Sequence, residues 1–512
     1  MVTSLAMGTP SAGDARLAPG VERRVVAAVL SLGLAPPAFV GLVGIGVGSF
    51  AAGAAAVVLV LLGFWRLPTA MPALLDGAFG RNRVAALLWL ALACVGLVLL
   101  GRLSLFMVDP SAVGDSVLPS SAFMTRHSCL TAYTEAARFG SDVPNVYAPP
   151  LYRPDPPAPR MLAGFQVDTF MYPPPFLLLP GALRLVTDDF LRERMIWYLL
   201  DFALVVGAML ALARWIGGRR GLLVGLLVPA VLVSVTARIS LQMGNFQLMA
   251  AALSVLAMVA FERGRALRGA PLLAFAIASK LHPGLLLVYL LARRKFREVG
   301  LTLGFLVLYV VLVRVFYGGA VLGSFVGFEA PRLASGAAFG MLHVLPWAVT
   351  INESVYGLVL KLGLLGVPGA SFPAAGVLAW AYTLALVVVA VLLGRRGEGD
   401  DRLGAAATWL ALLGLASLRA PFLPQEYGLF LPVWLLSIVV ARSIIEDGRR
   451  SHVIAAILAW AGLNVLLPFE AFPRGVGFSL LVTSVAQAIA WALLAWTVVR
   501  ALRAGRTQPA AA

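Results

Sequence analysis

The sequence predicts an all-α polytopic membrane protein with roughly 12–14 transmembrane helices. Three observations lead to this fold class. The 512 residues are 60% hydrophobic and only 12% charged, whereas soluble domains carry about 25% charged residues. Apolar runs near the length of a membrane span alternate with short arginine-rich segments, which fits spanning helices and their connecting loops. The alternating strands of an outer-membrane barrel, each ~10 residues long, are not seen.

The apolar runs predict the individual helices in order. They lie at 25–45, 48–65, 84–106, 193–214, 221–237, 246–262, 297–316, 374–394, 403–418, 427–442, 451–468 and 477–500. The apolar segment 269–294 differs, because Lys280, His282 and Pro283 lie near its middle. A lysine at membrane depth is unfavourable in a straight helix, and proline breaks helices. This segment is therefore predicted to form two half-helices that meet at SKLHPG.

The net charge of +16 comes from basic clusters between the apolar runs, and no basic soluble domain is present. This distribution follows the positive-inside rule and predicts no nucleic-acid partner. If all clusters face the cytoplasm, both termini are cytoplasmic and the segment 107–172 faces outward. The predicted location is the cell inner membrane, with the active site on the periplasmic side and membrane lipids as neighbours.

One long polar interruption, residues 107–172, holds nine of the 32 prolines and six of the 24 acidic residues. The chain is accordingly predicted to be organised in seven segments. These are a disordered N-terminus (1–22), N-terminal helices (23–106), an extracytoplasmic catalytic loop with juxtamembrane helices (107–192), a core with a donor-phosphate site (193–316), a second extracytoplasmic loop (317–372), C-terminal helices (373–500) and a tail (501–512).

Acidic residues at the start of the polar loop are candidates for a general base. Asp109 follows the third predicted span directly, and Asp115 comes shortly after it. A carboxylate beside a sheltered cleft suits proton abstraction, although a helix cap or a solvated loop acid explains the same pattern. Further along, LTAYTEAARF is predicted to form a short helix that ends at Gly140. Tyrosines beyond it suit sugar binding, or anchoring at the membrane interface.

The broken segment supplies a candidate phosphate site. Lys280, with His282, is placed to bind a lipid phosphate, while a lysine that only snorkels to the interface is the alternative. Two further outer turns, QMGNFQ and LRAPFLPQEYG, carry amides and charges. The predicted substrate-binding residues are His127, Tyr133, Glu135, Asn145, Tyr147, Tyr152, Tyr172, Asn245, Gln247, Arg419, Gln425 and Glu426.

Several classes of enzyme are excluded by missing motifs. There is no Walker loop, no dinucleotide fingerprint and no HExxH sequence, and no His/Cys spacing typical of zinc. The two cysteines, Cys94 and Cys129, are predicted to remain unpaired. No cofactor and no metal are expected, and without a soluble nucleotide-binding domain any sugar donor is expected to be lipid-linked.

Taken in order, AYTEAARFGSDVPNVYAPPLY, FMYPPPFLLLP, GNFQLMAAALSVLA and AIASKLHPGLLLVYLLARRKFR resemble the GT-C glycosyltransferases of family 87. The resemblance covers roughly Asp109 to Val440. It implies a polyprenyl-phosphate sugar donor, a glycan or glycolipid acceptor, and an inverting, metal-independent transfer of mannose or another hexose or pentose. In that pattern Lys280 holds the donor phosphate, and Asn245 and Gln247 lie in a substrate-facing turn.

Two departures from the family pattern concern the site. The family's acid before the Tyr-x-x-Ala helix is replaced here by Arg126-His127-Ser128-Cys129. The base is therefore expected to be Asp109 or Asp115, with His127 and Glu135 as weaker alternatives. The late turn APFLPQEYG contains no histidine, which leaves mannose specificity open. A transporter or flippase for lipid-linked glycans is the alternative function, because broken helices with buried charge also occur in transporters.

Overall fold

The computed structural model describes residues 20–77, 83–140, 142–152, 160–396, 401–446, 450–465 and 476–504. Within these ranges the protein is almost entirely helical. Residues 1–19 of the predicted N-terminal segment and residues 505–512 of the predicted tail lie outside the described residues, whereas 501–504 end the helix Val476–Ala504.

Eight helical segments of the described chain are long and apolar enough to cross a membrane. They are Val21–Gly44, Ser49–Ala70, Arg83–Val108, Phe190–Ile216, Phe296–Ser335, Phe372–Arg396, Gln425–Ile444 and Val476–Arg503. A ninth, Gly218–Leu232 with Val235–Met243, is bent by 65°. The count is below the predicted 12–14, because several apolar runs form helices of only 10–17 residues.

The shorter apolar helices are Gln247–Glu262, Ala266–Ser279, His282–Ala292, Val355–Leu364, Arg402–Ser417 and Ser451–Leu463. Smaller helical turns lie at Ala73–Leu75, Val113–Asp115, Ala122–Arg126, Leu130–Phe139, Pro149–Leu151, Pro174–Leu177, Leu178–Arg184, Met341–Val344 and Pro346–Thr350. One antiparallel pair of strands, Met161–Leu162 and Phe165–Gln166, closes the polar loop.

The helix break predicted at SKLHPG is confirmed. The first half-helix ends at Ser279, and Lys280 adopts an extended backbone with φ −138° and ψ 118°. A short 3₁₀ turn, His282–Gly284, then leads into Leu285–Ala292. Pro283 occupies this turn because it cannot supply the amide hydrogen that a continuous helix requires. The break thus brings a lysine side chain to a helix end in the interior of the protein.

The polar loop has a hydrophobic core of its own. The predicted helix over LTAYTEAARF is confirmed as Leu130–Phe139, ended by Gly140 with φ 46°. The aromatic rings of Tyr133, Phe176, Trp197 and Phe246 pack against one another with centroids 4.7–6.4 Å apart. These contacts join the loop to the candidate span Phe190–Ile216 and to the start of the helix Gln247–Glu262, so the loop is packed against the helices and is not a loose connection.

Candidate functional site

A cavity of about 1330 Å³ lies where the polar loop, the helix break and the late turn meet. Its polar side chains come from five parts of the chain, and much of the remaining wall is apolar. Large apolar pockets with a few convergent polar groups are the usual form of small-molecule sites. The polar lining consists of His127, Cys129, Tyr133, Gln166, Asp168, Thr169, Tyr172, Asn245, Gln247, Ser279, Lys280, His282, Thr383, Ser417, Arg419, Glu426 and Tyr427.

Three side chains from the polar loop converge on one point of this cavity. The His127 Nε2 atom lies 3.7 Å from the Cys129 Sγ atom and 3.8 Å from the Asp168 Oδ2 atom. Burial by itself disfavours the charged imidazole, but Cys129, Asp168 and Glu426 outweigh it and raise the pKa of His127 to about 9. This corner of the cavity therefore favours positive charge.

Short-range structure holds these three residues in place. His127 stacks on Phe123 with ring centroids 4.7 Å apart, and its backbone pairs with that of Gln166. The Thr131 hydroxyl accepts a hydrogen bond of 3.0 Å from the Asp168 amide. The Cys129 amide donates a 2.9 Å bond to the Met243 carbonyl oxygen, which ties the loop to the turn before Gln247–Glu262.

A cation lies beside this cluster. The Lys280 Nζ atom donates a hydrogen bond of 3.3 Å to the Asn245 side-chain oxygen, and it lies 5.3 Å from the centre of the Tyr172 ring. The Asn245 amide nitrogen in turn donates to the Cys129 Sγ atom at 3.3 Å. One amide side chain, that of Asn245, therefore links the Lys280 ammonium to the His127–Cys129–Asp168 cluster.

Tyr133 and Tyr172 complete the wall next to Lys280. The Tyr133 hydroxyl donates a 2.7 Å hydrogen bond to the Tyr172 hydroxyl, and the two rings meet edge to face. Gln247 and His282 also line the cavity, each with a buried side-chain nitrogen that has no hydrogen-bond partner among the described residues. Such atoms are available to a ligand that offers oxygen acceptors.

A second cation, Arg419, lies on another wall of the cavity. Its Nε atom donates to the Thr383 hydroxyl at 2.7 Å, and its guanidinium lies 5.1 Å from the Trp380 ring centre and 5.8 Å from that of Tyr356. These contacts fix the guanidinium plane by stacking and hydrogen bonding.

Glu426 is the second of the two carboxylates that the described residues place on the cavity wall. Its side chain is buried, and the Oε2 atom has no hydrogen-bond partner among the described residues. The turn before it is fixed by Asn352, whose side chain donates to the Pro421 carbonyl at 2.9 Å and accepts from the Leu423 amide at 3.0 Å. The Gln425 amide donates to the Ile351 carbonyl at 2.9 Å. Glu426 is thus a rigidly placed carboxylate with one unused oxygen.

The predicted base residues Asp109 and Asp115 lie elsewhere. Asp109 is exposed and caps its own turn by accepting hydrogen bonds from the Ser111 amide and hydroxyl, at 2.9 and 2.6 Å. These bonds lower the pKa of Asp109. Asp115 pairs with Arg102 at 3.2 Å. Neither residue is among the described residues of the cavity wall, so their positions do not support the prediction that one of them is the base.

Five predicted substrate-binding residues also lie outside the cavity wall. Asn145 accepts a hydrogen bond from the Tyr147 amide at 2.9 Å, and the Tyr147 hydroxyl donates to the Tyr172 carbonyl at 2.9 Å. The Tyr152 hydroxyl donates to the Val146 carbonyl at 2.6 Å. Glu135 and Gln425 are fully buried. Tyr147 and Tyr152, which were predicted to bind sugar, therefore use their hydroxyls to hold the loop together.

Glu135 is an anchor of the loop. Its carboxylate is inaccessible and pairs with Arg138 at 3.0 Å and with Arg160. We expect Glu135→Ala to lower the stability of the protein by roughly 1–3 kcal/mol, because it leaves two arginines unpaired, although both are partly exposed. The measurement is thermal unfolding in detergent, with Asp142→Asn, at an exposed loop position, as the control. Equal melting temperatures for the two variants would contradict this role.

Cys129 and Asp168 are not among the residues that the sequence predicts for the site. Neither Cys129 nor Cys94 forms a disulfide bond in the described residues. Asp168 stands in the aromatic stretch FQVDTFMYPPPF, where its approach to His127 depends on the strand pair 161–166. Of the residues predicted for the site, the structure brings together His127, Tyr133, Tyr172, Asn245, Gln247, Lys280, His282, Arg419 and Glu426.

Comparison with known proteins identifies the family. Residues 170–421 match the model of glycosyltransferase family 87, which includes the helix break, Lys280 and Arg419 but ends before Glu426. No curated protein matches the chain, and no solved structure does. The resemblance inferred from the sequence is confirmed by this match, and the helical architecture agrees with it. The chain is a multi-pass membrane glycosyltransferase of family 87.

Proposed function

We propose that this protein transfers a sugar, mannose or another hexose or pentose, from a polyprenyl-phosphate donor to a glycan or glycolipid acceptor. The single observation that carries the proposal is the placement of Lys280 at a helix break inside a large cavity. An ammonium group among apolar helices calls for an anionic partner, and a phosphate that enters from the membrane supplies one.

The form of the donor follows from the walls of the cavity. Leu281, Leu285 and Val288 line it next to Lys280, and Leu281 is largely exposed. A lipid-linked phosphate can lay its hydrocarbon chain along these side chains while its headgroup meets the Lys280 ammonium. Donation from Lys280, and from the unpartnered nitrogens of Gln247 and His282, would bind the phosphate oxygens.

The transfer is a single displacement that inverts the anomeric carbon. The acceptor hydroxyl oxygen forms the new C–O bond, while the bond from the anomeric carbon to the phosphate oxygen breaks and leaves polyprenyl phosphate. Lys280 stabilises the negative charge that develops on the departing phosphate. The acceptor proton must pass to a base on the other side of the sugar.

We assign that base to Glu426 in place of Asp109 or Asp115. Its unpartnered Oε2 atom is free to accept a proton, and it lies on the cavity wall with His127. General bases must come within hydrogen-bond reach of the proton that they remove. Asp168, the other carboxylate of the wall, already accepts a 2.9 Å bond from the Thr169 amide and faces His127.

The distribution of arginine supports an active site on the outer face of the cytoplasmic membrane. The basic clusters flank the apolar runs at the ends opposite the polar loop, as the positive-inside rule requires for cytoplasmic loops. Substrates would then be a donor and an acceptor presented on the periplasmic side, where nucleotide-linked sugars are not available.

The direct test is transfer by the purified full-length protein in lipid vesicles. Radiolabelled polyprenyl-phosphate mannose, and matched donors with other hexoses and a pentose, would be offered with a lipid extract as the acceptor source. We expect label to move from one of these donors into a product that resists mild acid. Translocation of the intact donor across the vesicle, without a new glycosidic product, would instead support a transporter.

A further inference from the structure

We propose that His127, Cys129 and Asp168 form a binding site for a divalent transition-metal ion, with Zn²⁺ as the best match. Each side chain offers one ligand atom, and the three atoms all lie within 4.8 Å of one another. Thiolate sulfur, imidazole nitrogen and carboxylate oxygen together are the donor set that zinc prefers in proteins.

The distances fit a tetrahedral ion. Zinc binds sulfur at about 2.3 Å, and nitrogen and oxygen at about 2.0–2.2 Å, which puts neighbouring ligand atoms of a tetrahedron about 3.3–3.6 Å apart. The His127 Nε2 atom already lies 3.7 Å from the Cys129 Sγ atom and 3.8 Å from the Asp168 Oδ2 atom. The Cys129 Sγ atom and the Asp168 carboxylate lie within 4.8 Å of each other, so movements of up to about 1 Å would close the site around an ion.

The surroundings of the sulfur also suit a thiolate ligand. The Asn245 amide donates to the Cys129 Sγ atom at 3.3 Å, and the Tyr427 hydroxyl lies 3.3 Å from the same atom. The backbone bonds of Cys129 and Asp168 to Met243 and Thr131 fix two of the three ligands before any ion arrives. Outer-shell hydrogen bonds of this kind orient the ligands of metal sites.

Three protein ligands leave a tetrahedral ion with one open position, as in catalytic zinc sites. All three residues line the cavity that is proposed to hold the substrates. A role for the ion in sugar transfer rests on the proposed function. The acceptor hydroxyl oxygen would occupy the fourth position and pass its proton to Glu426. A Lewis acid at that oxygen makes the hydroxyl proton easier to remove.

A metal ion at these residues differs from the metal-independent transfer that the family resemblance implies. The linear sequence shows no His/Cys spacing typical of zinc. His127 and Cys129 are too close together for the usual spacings, and Asp168 reaches them only through the pairing of the His127 and Gln166 backbones. The three-dimensional arrangement, and not the linear pattern, creates the ligand set.

The test measures metal content without any transfer reaction. The full-length, tag-free protein in detergent would be incubated with Zn²⁺, dialysed and analysed for bound metal. We expect about one ion per chain, lost in Cys129→Ser and in His127→Ala but retained in Cys94→Ser, which removes the other cysteine, outside the cavity wall. Thermal unfolding of each apo variant shows whether it is folded.

Substitution by Co²⁺ gives a second readout. A cobalt–thiolate charge-transfer absorption is expected for the wild type and for Cys94→Ser, and it should vanish in Cys129→Ser. Equal zinc binding by wild type and a folded Cys129→Ser variant would overturn the site. Full transfer by metal-free protein would overturn the acceptor role alone, and the glycosyltransferase activity would stand.

Discussion

Replacing Glu426 by glutamine is expected to reduce sugar transfer by about 10²–10⁴-fold, the range that a general base contributes. Glutamine keeps the shape of the side chain and cannot accept the proton of the acceptor hydroxyl. Because Lys280 and its neighbours remain in place, the affinity for the polyprenyl-phosphate donor should not change. The measurements are kcat with a saturating donor and a direct donor-binding assay.

The matched control for this variant is Glu262→Gln. Glu262 pairs with Arg293 at 2.7 Å and is not part of the cavity wall, so the same chemical change there should leave kcat intact. Thermal unfolding of Glu426→Gln would show that its effect on kcat does not arise from misfolding.

Asp109→Asn and Asp115→Asn decide between the two assignments of the base. If either variant loses transfer while Glu426→Gln retains it, the base is the residue first expected from the sequence. Their surface positions, with Ser111 and Arg102 as partners, lead us to expect only small effects. A full rate for Glu426→Gln would rule out Glu426 in any case.

Local chemistry made the helix break predictable. Lys280 and Pro283 cannot continue an apolar helix without an energetic cost. This cost is local and does not depend on the packing of the rest of the protein. The same applies to the short helix that ends at Gly140, because glycine readily ends helices. Both features are confirmed, since each depends on residues close together in sequence.

The position of the acids was not predictable in the same way. Asp109 is a candidate base from the sequence because it follows a membrane helix directly. In the structure its carboxylate instead accepts hydrogen bonds from the amide and hydroxyl of Ser111 in its own turn. Whether a carboxylate faces a cavity or caps its own turn depends on the packing of distant segments. Asp168 faces the cavity through contacts with His127 and Thr131, which belong to a different part of the loop.

The tyrosines of the polar loop were also assigned a role from composition that their contacts do not support. Tyr147 and Tyr152 have hydroxyls and rings suited to sugars, yet both are inaccessible and bonded to backbone carbonyls. A proline-rich loop has few amide donors, so its carbonyls take hydrogen bonds from side chains. An enrichment in tyrosine indicates a rigid loop as readily as a binding surface.

Replacing Lys280 by methionine is expected to weaken use of the polyprenyl-phosphate donor by about 10–100-fold in kcat/KM. Charge-assisted hydrogen bonds contribute about 1.5–3 kcal/mol each, and methionine removes the charge while keeping a long, unbranched side chain. The loss should be seen in direct binding of the donor phosphate as well as in the rate, since the same contact binds the phosphate and stabilises it as it departs.

Lysine is scarce in this chain, and that provides a clean control. Only three lysines are present, and Lys295 begins the helix Phe296–Ser324, away from the cavity wall. Lys295→Met should bind and use the donor like the wild type, whereas Lys280→Arg, which keeps the charge, should recover part of the lost rate.

Comparing the Lys280 and Glu426 variants distinguishes donor binding from the chemical step. Lys280→Met should impair donor binding, while Glu426→Gln should impair the chemical step with the donor still bound. If Lys280→Met binds the donor normally and loses only rate, the lysine acts on the departing phosphate alone. If Lys280→Met changes neither donor binding nor rate, the position of Lys280 at the helix break reflects snorkelling toward the membrane surface. The donor phosphate then binds elsewhere in the cavity, where Arg419 is another cation on the described wall.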